Sequence, residues 1–424
     1  MFIEIILCIL FGVTSGIFTG LTPGIHINLI SLIIISFSPI LINYLSPVSL
    51  GIFIISMAIT HTFLDSLPGI YLGAPDESQI LNALPGHKML MDGEGHNAVK
   101  LTVIGSAGCL LIALLCFPIT IRFMKFAYPL IKDSIGYILI VIMVYMIIKE
   151  KKLNKILKAF LMFLMSGVFG LIVLNIPTLN QPLFPLLSGA FGISLLTISL
   201  MDNTSIPEQD ITKELTIKKS VIASSTLAGT FVATIAGFLP GFGSSQAAIL
   251  GQQILGLGTK IGLWKDIDSK GFLIMVGGIN TANMLTSIAT VYVLGKARNG
   301  AIIAINKILE TANHNIDTNA GSVINIRIVI IFLFSILVAA GIASILALKI
   351  SKIFSKVIVK VNYTLLVSTI IIFIIILTTY FDGFLGLAIL ITSTAIGILA
   401  TKLNVGKNHL MGCLILPVIC YFVL

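Results

Sequence analysis

Residues 2–41 read FIEIILCILFGVTSGIFTGLTPGIHINLISLIIISFSPIL, an almost wholly apolar stretch interrupted at Thr22-Pro23-Gly24. A membrane-spanning helix needs about 20 predominantly apolar residues, so this stretch is long enough to cross a bilayer twice. Similar stretches recur as far as Leu424 with only short polar interruptions. The chain is 57% hydrophobic and 10% charged, with a mean hydropathy of +1.09. This composition excludes a soluble protein and indicates one that lives in lipid.

The apolar stretches predict an all-α polytopic protein of the cell membrane, with roughly 10–14 transmembrane or re-entrant helices. Membrane β-barrels alternate polar and apolar residues, whereas the runs here are continuous, as in LLIALLCF at 110–117. The first apolar run contains an acid, Glu4, and follows no basic segment. We therefore expect it to be a retained span and not a cleaved signal peptide.

An internal repeat organises the chain. Moving the sequence by 217 residues (237 minus 20) lays GLTPG at 20–24 on GFLPG at 237–241. The same shift lays THTFLDS at 60–66 on GGINTAN at 277–283, and both are polar interruptions of apolar runs. The order of the later apolar runs also matches, which predicts two repeats joined through the polar stretch DNTSIPEQDITKELTIKK at 202–219.

These repeats are residues 1–205 and 206–424, and loop charge predicts that they are inverted. Cytoplasmic loops of membrane proteins are rich in Lys and Arg, which places the lysine-rich loops at 149–158 and 349–360 in the cytoplasm. The first-half counterpart of 349–360 contains Arg122 and lies one span from 149–158, so it faces the other way. Inverted repeats are typical of secondary transporters, whose substrate sites form near the membrane midplane between the repeats.

The two Pro-Gly breaks are the candidate substrate site. Pro23 and Pro240 each interrupt a helix, as a split helix or as a tight helical pair, and exposed backbone groups at such a break are tolerated only beside protein or water. A helix that starts after the break presents free amides, which bind anions without a basic side chain. A plain proline kink lined with small residues for close packing is the alternative. The predicted substrate-binding residues are Thr22, Gly24, His26, Asn28, Gly241, Gly243, Ser244 and Ser245.

A second set of polar residues is the candidate site for a coupling ion, Na⁺ or H⁺. His61 and Asp65 are four residues apart and share one helical face, and an acid inside a membrane span indicates function. Asn280 and Asn283 occupy the equivalent segment of the second half and offer amide oxygens. Alternatively, Asp65 is a solvated cap at the end of its helix and His61 an ordinary polar residue between spans.

Neither the cysteines nor the loop histidines indicate a metal site, and we expect no bound cofactor. The five cysteines lie in apolar runs without metal-type spacing. His87 and His96 belong to the polar stretch 71–100, which we expect to be a solvated cytoplasmic or re-entrant loop.

Three sequence blocks together resemble the TctA family, the large membrane subunit of tripartite tricarboxylate transporters, in a shorter, archaeal-type form. They are GLTPGIHINLI at 20–30, PGHKMLMDGEGHNAV at 85–99 followed by IGSAG, and GFLPGFGSSQAA at 237–248. Pro85 replaces the acid of the family pattern in the middle block. The resemblance implies cation-driven uptake of carboxylates, a small membrane subunit and an extracytoplasmic solute-binding protein that delivers substrate.

We therefore expect a permease that moves small carboxylates, such as tri- or dicarboxylates, across the lipid bilayer with a cation gradient, and that does not bind nucleic acid. The first alternative is a channel, or a transporter of another small anion or solute; the sequence lacks the charged rings that favour a channel. The second alternative is an intramembrane enzyme. The chain has neither the His-Glu-x-x-His nor the Gly-x-Ser-x-Gly pattern.

Overall fold

The computed structural model describes residues 2–22, 27–73, 80–131, 134–150, 152–201, 206–238, 244, 247–252, 268–295, 299–312, 324–359 and 363–424. All regular structure within these ranges is helical. In this part of the chain eight helices are long and apolar enough to cross a membrane, or nine if one bent pair forms a single span. The predicted all-α polytopic membrane architecture is confirmed.

The first half contains ten helices in the described ranges: α1 (Phe2–Leu21), α2 (Ile27–Leu41), α3 (Pro47–Leu64), α4 (Ile80–Met91), α5 (Gly95–Leu115), α6 (Phe117–Ile131), α7 (Ile135–Ile148), α8 (Leu153–Leu174), α9 (Leu183–Leu187) and α10 (Ser194–Met201). The π-helical turns Pro68–Leu72 and Ser188–Ile193 extend α3 and join α9 to α10.

The second half contains α11 (Lys219–Phe238), α12 (Ser269–Leu294), α13 (Gly300–Ala312), α14 (Ile326–Ile358), α15 (Tyr363–Lys402) and α16 (Gly412–Val423). Residues 247–252 are also helical, and a 3₁₀ helix, Lys407–Met411, precedes α16. Gly383 (φ 60°, ψ −150°) divides α15 into two helices, because this left-handed conformation suits glycine and interrupts a helix.

α1 and α2 run in opposite directions on either side of the first Pro-Gly break. The backbone N–H of Ser46, just after α2, donates to the Glu4 carboxylate near the start of α1 at 2.8 Å. The chain therefore returns through α2 to the level at which it began. Of the two predicted forms of this break, a split helix and a tight helical pair, the reversal favours the pair.

Small residues allow the central helices to approach closely. α1 packs along α3, and a Cβ atom at Gly16 would lie only 2.6 Å from the Met57 carbonyl oxygen. α5 packs along α12 of the other half, where a Cβ atom at Gly277 would lie 2.8 Å from the Thr102 carbonyl oxygen. Close backbone packing of this kind replaces the hydrophobic effect as the force that holds helices together in lipid.

The packing partners of the two halves correspond. The first helix of each half packs on a central helix of its own half, α1 on α3 and α11 on α12. Each central helix then packs on a long helix of the opposite half, α3 on α14 and α12 on α5. Two related repeats are expected to show this correspondence of packing partners. The inverted arrangement of residues 1–205 and 206–424 stays a prediction.

Side-chain contacts join connecting segments that are distant in the sequence. Glu150, between α7 and α8, accepts from His409 Nε2 at 3.0 Å, which joins that loop to the one before α16. The linker between the halves is held against the start of α5, where Lys213 Nζ lies 2.6 Å from the Glu94 carboxylate. Gln209 adds a second anchor, since its side-chain oxygen accepts the Gly95 N–H at 2.9 Å.

Candidate functional site

The two most deeply buried spans carry the candidate site. The most apolar part of Pro47–Leu72, which contains α3, is 83% buried, and that of α12 is 89% buried, against 61% or less for the other six candidate spans. Both helices are buried on most sides, as expected for helices at the centre of a bundle. Polar side chains on them therefore face protein and not lipid.

Asp65 lies where α3 ends, yet it is buried. The helix begins with the Ser46 hydroxyl accepting the Ser49 N–H and with Pro47 in the first turn, a favourable start. Asp65 is the C-terminal cap residue, followed by the π-helical turn that starts at Pro68. Its exposed fraction is 1%. The alternative of a solvated cap is therefore wrong, because the chain continues as a helical turn into the bundle instead of into water.

His61 lies one turn before Asp65 on the same face, as predicted. The two side chains are 3% and 1% exposed, and His61 Nε2 lies 4.0 Å from Asp65 Oδ2. The other ring nitrogen, Nδ1, is 3.1 Å from the Thr19 hydroxyl of α1. That hydroxyl also donates to the Gly16 carbonyl at 3.2 Å. Thr19 therefore fixes the orientation of the His61 ring from the last turn of α1.

Asn280 connects Asp65 to the second half. Its Nδ2 donates to Asp65 Oδ2 at 2.6 Å, and its Oδ1 accepts from the Ser244 hydroxyl at 3.0 Å. Asn283 Nδ2 lies 3.4 Å from Ser244 Oγ, and Asn283 Oδ1 is a buried acceptor that receives no hydrogen bond from the residues that the structure describes. Beside them, the Thr281 hydroxyl donates to Thr62 Oγ1 at 3.1 Å. Side chains from both halves thus form one buried polar cluster.

The hydrogen bonds in this cluster run in one direction. In each bond the side chain farther from the carboxylate is the donor. Asn283 donates to Ser244, Ser244 donates to Asn280, and Asn280 donates to Asp65. We call these four residues the polar relay. The opposite orientation of the Asn280 amide would place two acceptor oxygens 2.6 Å apart. The Asp65 carboxyl group at the end of this chain accepts its hydrogen bond from the Asn280 amide.

The structure brings together five of the predicted site residues: Ser244 from the substrate set, and His61, Asp65, Asn280 and Asn283 from the ion set. Thr22 directly follows α1, and its hydroxyl donates to the Phe18 carbonyl of that helix at 2.8 Å. The predictions that lie outside the described residues are Pro23, Gly24, His26, Pro240, Gly241, Gly243 and Ser245. Asn28 belongs to α2, and its side chain also lies outside the described part.

Threonines that sequence reasoning missed complete the cluster. Thr19 orients His61, and Thr62 contacts Thr281. The Thr102 hydroxyl lies 3.2 Å from that of Ser66, the residue after Asp65. The sequence offered one indication for Thr19, namely its position just before the first Pro-Gly break. A threonine inside an apolar helix can always bond its own backbone, so the pattern alone does not distinguish a site residue from a packing residue.

A second buried network includes His96, near the end of the polar stretch 71–100. The expectation that this stretch is a solvated loop was therefore wrong at His96. His96 is 2% exposed, and its Nδ1 lies 2.9 Å from Ser351 Oγ of α14. The Tyr71 hydroxyl is 2.9 Å from the same Ser351 Oγ and 2.6 Å from Ser355 Oγ. His87 lies 3.0 Å from the Ile70 carbonyl, and burial lowers its pKa. The stretch contains α4 and the start of α5, which fold against the bundle.

Comparison with known proteins identifies the family of this chain. The model of the tripartite tricarboxylate transporter TctA family matches residues 6–412. An uncharacterized protein of Methanocaldococcus jannaschii is 32% identical over 435 aligned positions, which cover 99% of this chain and 98% of that protein. No solved structure matches the chain significantly. The chain therefore belongs to the tripartite tricarboxylate transporter TctA family, as a multi-pass membrane component of a transporter and not an enzyme.

Proposed function

We propose that this protein is a secondary active transporter that moves small carboxylates, such as tri- or dicarboxylates, with a cation gradient. The observation that carries the proposal is the polar relay, which links Asp65 of α3 to Ser244, three residues after the second Pro-Gly break. The Asn280 amide thereby connects the acid of the proposed ion site, Asp65, with the hydroxyl of the proposed substrate site, Ser244. Coupled transport requires such a link, because each ligand must change the affinity for the other.

The substrate carboxylate would bind at the two breaks. Backbone amides after Pro23 and Pro240 suit an anion, as helix starts do elsewhere. Thr22, Gly24, His26 and Asn28 in the first half, and Gly241, Gly243, Ser244 and Ser245 in the second, are the proposed substrate residues. Ser244 supports this assignment most directly, because its side chain is buried at the relay.

The coupling cation would bind beside the relay. His61 and Asp65 supply the titratable or charged groups, and Asn280 and Asn283 supply amide groups from the opposite half. Within the described part of the chain no donor reaches the buried Asn283 Oδ1, and buried acceptors are costly unless a ligand or another group satisfies them. We propose no cofactor other than this ion.

Alternating access would come from the two halves. We propose that residues 1–205 and 206–424 are inverted repeats and that one element slides past the other around a shared site. Because α3 and α12 contact both the site and a helix of the opposite half, a shift at the interface between the halves would move Asp65 relative to Asn280.

Members of the family work with a small membrane subunit and a solute-binding protein, and we propose that this chain does so too. Delivery by a binding protein matters most when the substrate is scarce. At millimolar substrate the membrane subunit alone should therefore exchange carboxylate, whereas at micromolar substrate uptake should depend on the partner proteins.

Counterflow in proteoliposomes tests the function. Vesicles preloaded with millimolar citrate, succinate or acetate should take up the same labelled compound, and an inward Na⁺ or proton gradient should drive accumulation of at least one of them. The Ser244→Ala variant should lose affinity, whereas Ser225→Ala, in α11 and without a hydrogen-bond partner among the described residues, should transport normally. If no compound exchanges under any gradient, the proposal is wrong; flow without accumulation would identify a channel.

A further inference from the structure

The Ser244 hydroxyl has one proton, and in this structure that proton is already used. Ser244 donates it to Asn280 Oδ1 at 3.0 Å, and the Asn280 amide in turn donates to Asp65 Oδ2 at 2.6 Å. While Asp65 is a carboxylate, it fixes this direction, because only an N–H or O–H can face it. Ser244 therefore has no proton to offer a substrate carboxylate.

We propose that the coupling ion is a proton, bound by the His61–Asp65 pair, and that the polar relay transmits its binding to the substrate site by rotation of the Asn280 amide. This inference rests on the proposed carboxylate transport. It adds the identity of the ion and the group that links it to the substrate.

A proton on Asp65 reverses the relay. Protonated Asp65 donates to Asn280 Oδ1, which turns toward it when the amide rotates by half a turn. Asn280 Nδ2 then faces Ser244 Oγ and donates to it, so the Ser244 proton becomes free for a substrate carboxylate. One proton binds Asp65 together with each substrate molecule on one side of the membrane, and both are released on the other side. The only covalent bond that forms and breaks is the O–H bond at Asp65.

The charge of Asp65 favours the same coupling between proton and substrate as the hydrogen bonds do. A carboxylate at Asp65 repels an anionic substrate near Ser244, and this repulsion is strong where the surroundings are apolar and water is scarce. Protonation removes it. Proton binding and substrate binding therefore favour each other, and linkage requires that the effect be reciprocal.

The orientation of Asn280 argues against a metal cation at this acid. Hard cations take oxygen ligands, but the Asn280 side chain presents its N–H group to Asp65 Oδ2. The nearby hydroxyls of Thr62 and Thr281 donate to Ile59 O and to Thr62 Oγ1. The group that faces Asp65 Oδ2 is therefore a donor, which suits a carboxylate that exchanges a proton.

His61 is the second member of the pair. Its Nε2 lies 4.0 Å from Asp65 Oδ2, so a charge on either group acts directly on the other. Thr19 keeps the ring in this position from α1.

Other charged groups lie on the helices packed around α3. Glu4 of α1 accepts the Ser46 N–H at the opposite end of α3, Lys270 of α12 donates to Thr216 O, and His96 of α5 contacts Ser351. The remaining charged side chains described on α5, α13 and α14 are Lys100, Lys307, Glu310, Arg327, Lys349, Lys352 and Lys356.

Succinate binding to the purified protein tests the inference between pH 6.5 and 8.5, a range in which succinate keeps its charge. If one proton binds with each substrate, the Kd should fall about tenfold for each unit by which the pH is lowered, as long as the pair is unprotonated. Asp65→Asn should make the Kd independent of pH. His61→Asn should shift the pH dependence without removing it. Ser287→Ala should match the unchanged protein, because the hydrogen bond that the structure describes for that hydroxyl stays within its own helix, at Asn283 O.

Transport separates this inference from the proposed function. A proton gradient should drive succinate accumulation without Na⁺, and Asp65→Asn should retain counterflow while losing accumulation. If Na⁺ alone drives accumulation and the Kd does not change with pH, the proton relay is wrong and carboxylate transport stands. Retained pH dependence in Asp65→Asn would also overturn the relay, and circular dichroism shows whether that variant is folded.

Discussion

The contact between Asp65 and Asn280 can be tested as a free energy, independently of any transport assay. The perturbation is a double-mutant cycle of Asp65→Leu and Asn280→Leu, which replace both groups by apolar side chains of similar volume. Each single substitution leaves a buried polar partner behind, whereas the double substitution removes both. The contact of Asn280 with Ser244 is lost in both variants that lack Asn280, so it cancels from the cycle.

The geometry sets the expected coupling energy. The bond is 2.6 Å long and ends on a buried carboxylate, and hydrogen bonds to charged groups contribute about 1.5–3 kcal/mol. Polar pairs between membrane helices average about 0.6 kcal/mol. We therefore expect a coupling of about 1.5–3 kcal/mol at pH 8, which corresponds to roughly 10- to 150-fold in the unfolding equilibrium constant. At a pH at which Asp65 is protonated the coupling should fall toward about 0.6 kcal/mol.

The assay is unfolding of the purified protein in mixed micelles by a rising fraction of denaturing detergent, followed by far-ultraviolet circular dichroism. All four proteins of the cycle are measured at two pH values. A coupling below about 0.5 kcal/mol at pH 8 would show that the two side chains do not form a charged hydrogen bond. A coupling that is large but equal at both pH values would show that the state of Asp65 does not control it.

Three further predictions concern stability and the linker. Gly16→Val should destabilise the protein by about 1–3 kcal/mol by crowding α3, while Gly341→Ala, with no atom within 4 Å of the new Cβ, should not; equal melting temperatures would contradict this. Tyr71→Phe should cost about 1–3 kcal/mol, because it removes the phenol oxygen that contacts the buried hydroxyls of Ser351 and Ser355; an unchanged unfolding midpoint would exclude that role. The hydrogen bond from Lys213 lowers the pKa of Glu94, so protection of the linker from hydrogen exchange should persist at pH 5 and fall as the pH drops below 4.5 toward that lowered value. Protection that does not change on acidification, or in Glu94→Gln, would show that this ion pair does not hold the linker.

The sequence predicted the membrane class, the order of the helices and the facing pairs within single helices. Apolar length determines whether a helix crosses a bilayer, and helical periodicity places His61 beside Asp65 and Asn280 near Asn283. Apolar length and helical periodicity are local properties of the chain, so they can be determined without knowledge of the tertiary structure. The same reasoning assigned His96 to a solvated loop, because a polar stretch contains no information about the helix that covers it.

Only the tertiary structure decided which residues meet across the halves. Asp65 and Asn280 are separated by 215 positions, and α3 lies beside α12 because small residues on several helices let the backbones approach closely. The burial of Asp65 likewise depends on the helices around it, since the same residue at an exposed helix end would be a solvated cap. The direction of the relay is a further property of the assembled cluster, because donors and acceptors are assigned only when all four side chains are in contact.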